Sequence, residues 1–145
     1  MRNLWMAGVI AAVGLAMASP VLAMSNKDEV SLADVQMLID QQKYDMAVDK
    51  LQTYLDATPQ DANGYNLLGY SYRQLGKYDE AKAAYDRALR LDPGHKGVHE
   101  YLGQLYLKTG QPAKAEAELE TLKGLCGTDC PEYQALAKAI GAAKK

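Results

Sequence analysis

Two cysteines and two histidines are all that the chain holds of the side chains most often used for redox or metal chemistry. No glycine-rich phosphate loop, nucleophile elbow or zinc-protease helix motif occurs in it. These absences leave no catalytic constellation, so no enzyme activity and no cofactor are expected. No run of like charge exceeds two residues, and no low-complexity stretch breaks the chain. With 16 basic and 18 acidic side chains it lacks the clustered positive face needed to bind a phosphate backbone, which argues against a nucleic acid partner. The Lys144-Lys145 tail reads as a solvated helix end rather than a binding patch.

Long hydrophobic runs are also missing, with one informative exception. Residues 4–18 are all apolar or small, preceded by Arg2 and followed by Pro20 and then Val21-Leu22-Ala23. Fifteen residues fall short of the roughly 20 that span a bilayer as an ordinary helix, and the layout is that of a secretory signal peptide occupying residues 1–23. Residue 24 is Met rather than Cys, so a bacterial lipoprotein anchor is excluded. Cleavage after Ala23 removes Arg2 and no acidic residue, leaving a domain of residues 24–145 with formal charge −3 and a periplasmic destination. Membrane attachment is expected only if the leader is kept.

What is present is a repeat. Ala47, Ala81 and Ala115 are spaced 34 residues apart, and the same interval relates Leu68 to Leu102, Gly69 to Gly103, Tyr72 to Tyr106 and Gly76 to Gly110. It also relates Tyr44 to Tyr78 and Pro59 to Pro93, while Leu51, Tyr85 and Leu119 form a further apolar column. A whole register of matches is beyond chance.

This pattern resembles the tetratricopeptide repeat, a pair of antiparallel helices with a 34-residue period. The resemblance implies an all-α fold, an α-solenoid of three helix-turn-helix repeats at about 28–61, 62–95 and 96–129, with a C-terminal capping helix at about 131–143. The central repeat fits best, with Tyr65 where the family prefers Trp. The third departs at His99, Pro112 and Gly127, and the first has Asp34-Val35 where Leu-Gly is expected. Segments 95–103 and 125–133 also resemble those of short exported bacterial repeat proteins.

Physical reasons accompany the columns. Gly69 and Gly103 cost about 1 kcal/mol inside a helix relative to alanine, which makes sense where helices cross too closely for a side chain. Gly76 and Gly110 suit left-handed helix ends, and Pro59 and Pro93 stop the second helices. Seven helices are predicted, at residues 31–42, 45–57, 62–75, 78–91, 96–109, 112–125 and 131–143. Ser31 with Asp34 signals a capped start for the first. Tyr133, Leu136, Ala137 and Ile140 share one helical face, which the last helix would use to cover the bare end of the stack.

The resemblance further implies a concave groove lined by the first helix of each pair. By register its contacts fall at Leu32, Gln36, Ile39 and Asp40, then at Asn63, Asn66, Tyr70, Arg73 and Gln74, then at Gly97, Glu100, Gln104, Leu107 and Lys108. Tyr70 and Arg73 belong to types enriched in binding hot spots. The lysine and asparagine clamp with which some relatives grip acidic chaperone tails is not carried over, because Leu32, Gln36 and Leu67 stand at its positions. The implied role is a protein-interaction scaffold that binds a peptide or helix of another exported protein.

Cys126 and Cys130 flank the turn before the last helix, and in an oxidising compartment two cysteines this close should form a disulfide. The alternative is a small metal-binding or thiol-redox accessory that uses this pair with His95 and His99. Those histidines are four residues apart and would share a helix face.

Overall fold

The computed structural model describes residues 30–144. The predicted leader and its cleavage site lie outside the described residues. Seven helices follow in order: α1 (Leu32–Asp40), α2 (Tyr44–Ala57), α3 (Ala62–Gln74), α4 (Tyr78–Leu91), α5 (Lys96–Lys108), α6 (Pro112–Cys126) and α7 (Pro131–Ala143). They pack as three successive hairpins, α3 meets α5, and α7 lies against both α5 and α6. Among the described residues no helix is long and apolar enough to cross a membrane.

The helix starts are set by two kinds of residue. Ser31 and Asp34 form a reciprocal capping box on α1, and the Asp61 carboxylate accepts from the Asn63 amide at 2.8 Å. The second helices have no such cap; instead they are entered through a tight left-handed turn. Gly76 and Gly110 have φ of 74° and 71°, and the next amides reach back to Tyr72 and Tyr106 carbonyls at 2.9 and 2.8 Å. These are the paired bonds that close a helix with a left-handed residue.

The first repeat makes the same turn without glycine. Gln42, one period before Gly76, takes φ 58°, and the Lys43 amide reaches the Leu38 carbonyl at 2.9 Å. This is why α1 stops at Asp40, short of the predicted residue 42. A side chain in the left-handed region costs energy that glycine avoids, so the hairpin geometry has overridden local preference here.

Two apolar clusters fill the interior. One joins Val35, Ala47, Leu51 and Leu68 across the first two hairpins, and the other joins Ala81, Tyr85, Leu102, Leu122 and Leu136. The alanine column is fully buried, with Ala47, Ala81 and Ala115 each 0% exposed. The two helix glycines solve different problems. A Cβ on Gly69 would meet the Tyr85 ring at 2.5 Å, whereas one on Gly103 would meet the Leu136 side chain at 2.5 Å. In the third repeat the column holds Leu119 where the second has Tyr85. Leu136 of α7 occupies the space over that glycine.

The last helix keeps the repeat register. Leu136 and Ile140 stand 34 residues after Leu102 and Tyr106, and all four are buried. Its helical start at Pro131 falls 35 residues after that of α5, and α6 has 15 residues against 14 in α4.

Candidate functional site

The first helices of the hairpins, together with α7, wall one side of the stack. At its first end a cavity of 310 Å³ lies between Gln36 and Asp40 of α1, Tyr44 of α2, Leu67 and Tyr70 of α3 and Tyr101 of α5. Three rings build its floor. Tyr44 meets Tyr70 edge-on with centroids 6.2 Å apart, and Tyr70 lies 5.1 Å from Tyr101. Such tilted contacts suit the quadrupoles of the rings.

Arg73 continues this shelf. Its guanidinium sits 5.3 Å from the Tyr70 centroid and 5.5 Å from that of Tyr101, within cation–π range. Its Nη1 donates to Gln104 Oε1 at 2.9 Å, and Gln104 Nε2 donates to Glu100 Oε1 at 2.9 Å. The chain Arg73–Gln104–Glu100 thus ties α3 to α5 and holds the cation in place. On the far side of Arg73 a second cavity of 390 Å³ is lined by Gln104, Leu107 and Lys108 with Ala139, Ala142 and Ala143 of α7. The last helix therefore forms a wall of this surface as well as covering the end of the stack.

The residues named from register are thereby placed. Tyr70, Arg73, Gln104 and Lys108 line the two cavities, Asn63 and Gly97 line a third of 290 Å³, and Gln74 is exposed. Ile39 and Asn66 are 7% and 9% exposed, so both are more enclosed than open contact positions would be. Tyr44, Tyr101, Glu132 and the α7 alanines are not among the register positions. Tyr101 lies one position past Glu100 in the register; Glu132 and the alanines lie on a helix that the sequence marks only as a cap.

The two histidines are occupied. His99 is buried, with Nδ1 2.7 Å from Glu118 Oε2 and Nε2 2.8 Å from the Pro93 carbonyl. Both ring nitrogens face acceptors, an arrangement that only the imidazolium satisfies fully. Glu118 accordingly holds its pKa above the ordinary histidine range against the effect of burial. His95 caps α5: its Nδ1 accepts from the Val98 amide at 3.3 Å, and its Nε2 lies 2.9 Å from Asn63 Oδ1. Neither ring offers a free lone pair to a metal. Cys126 and Cys130 have sulfurs 2.03 Å apart and Cα atoms 5.9 Å apart. Among the described residues the group of potential ligands around them contains Glu132 and no histidine. The four side chains of the metal or redox alternative are not brought together.

Comparison with known proteins agrees with this architecture. Two tetratricopeptide repeat profiles match residues 32–94 and 72–140. The chain belongs to the tetratricopeptide repeat family. It is 37% identical over 79 residues to the cytochrome c-type biogenesis protein CycH of Rhizobium meliloti, covering 54% of this chain and 21% of that protein. The chain spans less than half the length of the curated relatives it matches. Among solved structures, the type III secretion chaperone SycD of Yersinia enterocolitica, in complex with a peptide of the translocator YopD, superposes with TM-score 0.66. It is 21% identical, with 77% of this chain and 84% of that chain covered. The first repeat domain of Spaghetti, bound to an HSP90 peptide, gives TM-score 0.67 at 19% identity, covering 78% and 90% of the two chains. At these identities the likeness establishes the fold.

Proposed function

We propose that this chain is a periplasmic adaptor that does no chemistry itself and holds an extended segment or helix of another exported protein in its groove. The observation that carries the reading is the shelf of Tyr44, Tyr70 and Tyr101 with Arg73 fixed upon it. Rigid aromatic and arginine surfaces lose little entropy on binding and dominate interface energies. The reading is supported by two structural neighbours that were solved with peptides bound. The export part rests on the leader-like residues 1–23.

A photo-crosslinking amino acid at Gln74, exposed beside the shelf, should capture an exported protein, whereas the same group at exposed Glu80 on α4 should not. Equal capture from both positions, or capture from position 80 alone, would count against the groove. Intact mass of the recovered protein should show a start near Met24; retention of residues 1–23 would replace the free periplasmic adaptor by a membrane-tethered one.

In the same reading Cys126 and Cys130 form a structural bridge that pins α7 to the last hairpin. Closing so short a loop stabilises by about 2 kcal/mol in the chain-entropy model. Because each repeat contacts only its neighbours, reduction should remove hydrogen-exchange protection from α7 and leave α3 unchanged. Free thiols in protein taken from the periplasm would overturn the bridge. Loss of partner binding on reduction, with the stack intact, would make the thiols functional.

A further inference from the structure

Where α7 meets α5, two buried acceptors beside the groove lack partners in the chain. Glu132 sits in the first turn of α7, and its Oε2 is buried without a hydrogen-bond partner. Asn66 of α3 is only 9% exposed, and its Oδ1 likewise has no partner. The Asn66 amide stands over Gly97, 3.3 Å from where a Cβ would lie. Gly97 and Glu132 in turn line the same 290 Å³ cavity. Glu100, half-buried on α5, has one oxygen engaged by Gln104 and lies close enough to Glu132 for the two carboxylates to repel. A buried acceptor without a donor costs about 1–3 kcal/mol, more when it is charged.

The chain's own cations relieve this only in part. Arg73 favours the ionised form of Glu100 but is bonded to Gln104 and stacked on the tyrosine shelf, and Lys96 at the rim of the cavity forms no ion pair with either carboxylate. Gly97 supplies the opening, since any side chain there would crowd Asn66 and His95.

We propose that this corner is a subsite for a lysine or arginine side chain of the bound partner, which enters the cavity at Glu132 with Glu100 and Asn66 behind it. The proposal rests on the groove being the peptide site. A guanidinium or ammonium supplies several N–H donors and a positive charge together, which is what this set of oxygens lacks. The groove would then read its partner at two points, an aromatic-lined half around Tyr70 and a cation-accepting half at α7.

The carboxyls add a pH signature. Burial first, and the Glu132 charge second, push Glu100 up to about 7, with Arg73 and the Gln104 hydrogen bond pulling it back. Tyr101 is the other titratable neighbour on α5, and His95 lines the cavity with Glu132. Asp92 and Lys96 are the other charged residues that line the cavity. A bound cation favours the ionised carboxylate, so binding should release a proton and tighten as pH rises through 7.

The test uses N-acetylated, C-amidated nonapeptide libraries, randomised except for a central Lys, Arg, norleucine, citrulline or Glu, against the full mature protein. The Lys and Arg libraries should bind at least about tenfold tighter than the norleucine and citrulline libraries, and the Glu library weakest. Glu132→Gln should abolish that preference without lowering the melting temperature. Binding of the Lys library should tighten by up to about tenfold between pH 6 and 8, and Glu100→Gln should remove most of that rise. Binding of all libraries alike, or a preference that survives Glu132→Gln, would overturn the subsite while the groove stood. Failure of every library to bind would overturn the groove reading and the subsite with it.

Discussion

Tyr85→Ala should destabilise the protein by about 3–5 kcal/mol, the usual cost of removing a large buried ring. Tyr85 is 0% exposed, stands at the centre of the second apolar cluster and rests its ring on Gly69. No neighbour can collapse into the space, because the glycine beneath has no side chain to extend. Tyr85→Phe is the informative partner. The Tyr85 hydroxyl is buried beside the Arg73 guanidinium without a well-formed hydrogen bond to it, and burial holds its pKa well above the ordinary tyrosine range, with the Arg73 charge and that imperfect contact opposing. Removing that oxygen should leave stability equal to or above that of the parent protein. Urea unfolding of the three proteins checks both statements. An alanine variant within about 1 kcal/mol of the parent would show that the ring is not the keystone of the repeat. A phenylalanine variant as unstable as the alanine one would show that the hydroxyl is satisfied after all.

Leu136→Ala should be nearly as costly, at about 2–5 kcal/mol, but the loss should be local. Leu136 is 0% exposed and is the side chain of α7 that seats on Gly103. Its removal leaves a cavity at the end of a quasi-one-dimensional stack, where only the last hairpin, α5 and α6, holds the helix. Hydrogen exchange should show α7 opening at lower free energy while α3 and α4 keep their protection. Uniform loss of protection along the chain would mean that the stack unfolds as one unit and that α7 is not a separable element. The effect should exceed that of reducing Cys126 and Cys130, since packing contributes more here than closure of a short loop.

The sequence made the fold legible because the repeat reports the same packing problem three times. Ala47, Ala81 and Ala115 recur because all three lie where helices touch, and the turn at Gly76 recurs at Gly110. Where the column changed residue, the geometry persisted. Gln42 takes the left-handed turn that glycine takes elsewhere, and no local signal announces it. The groove was legible only in part. Register placed Tyr70, Arg73 and Gln104 along it, but could not show that Arg73 bonds Gln104 or that Tyr101 closes the shelf. Those contacts depend on rotamers and on the angle between hairpins. Glu132 lies on a helix that the sequence marks only as an end cap, and its place in the groove wall depends on how α7 packs against α5. His99 is the reverse case, a residue with evident chemical potential whose ring is spent on Glu118 and Pro93.

The last helix is built as the first helix of a hairpin. Its Leu136 and Ile140 continue the columns of Leu102 and Tyr106 at the 34-residue interval, and all four are buried. Like α3 and α5, α7 therefore presents one face to the core and a neighbouring one to the groove, where Ala139, Ala142 and Ala143 line the cavity beside Lys108. A substitution on its inner face that loosens the helix also moves that wall. Stability at this end of the stack and the width of the binding surface thus rest on the same contacts, and neither can be changed alone.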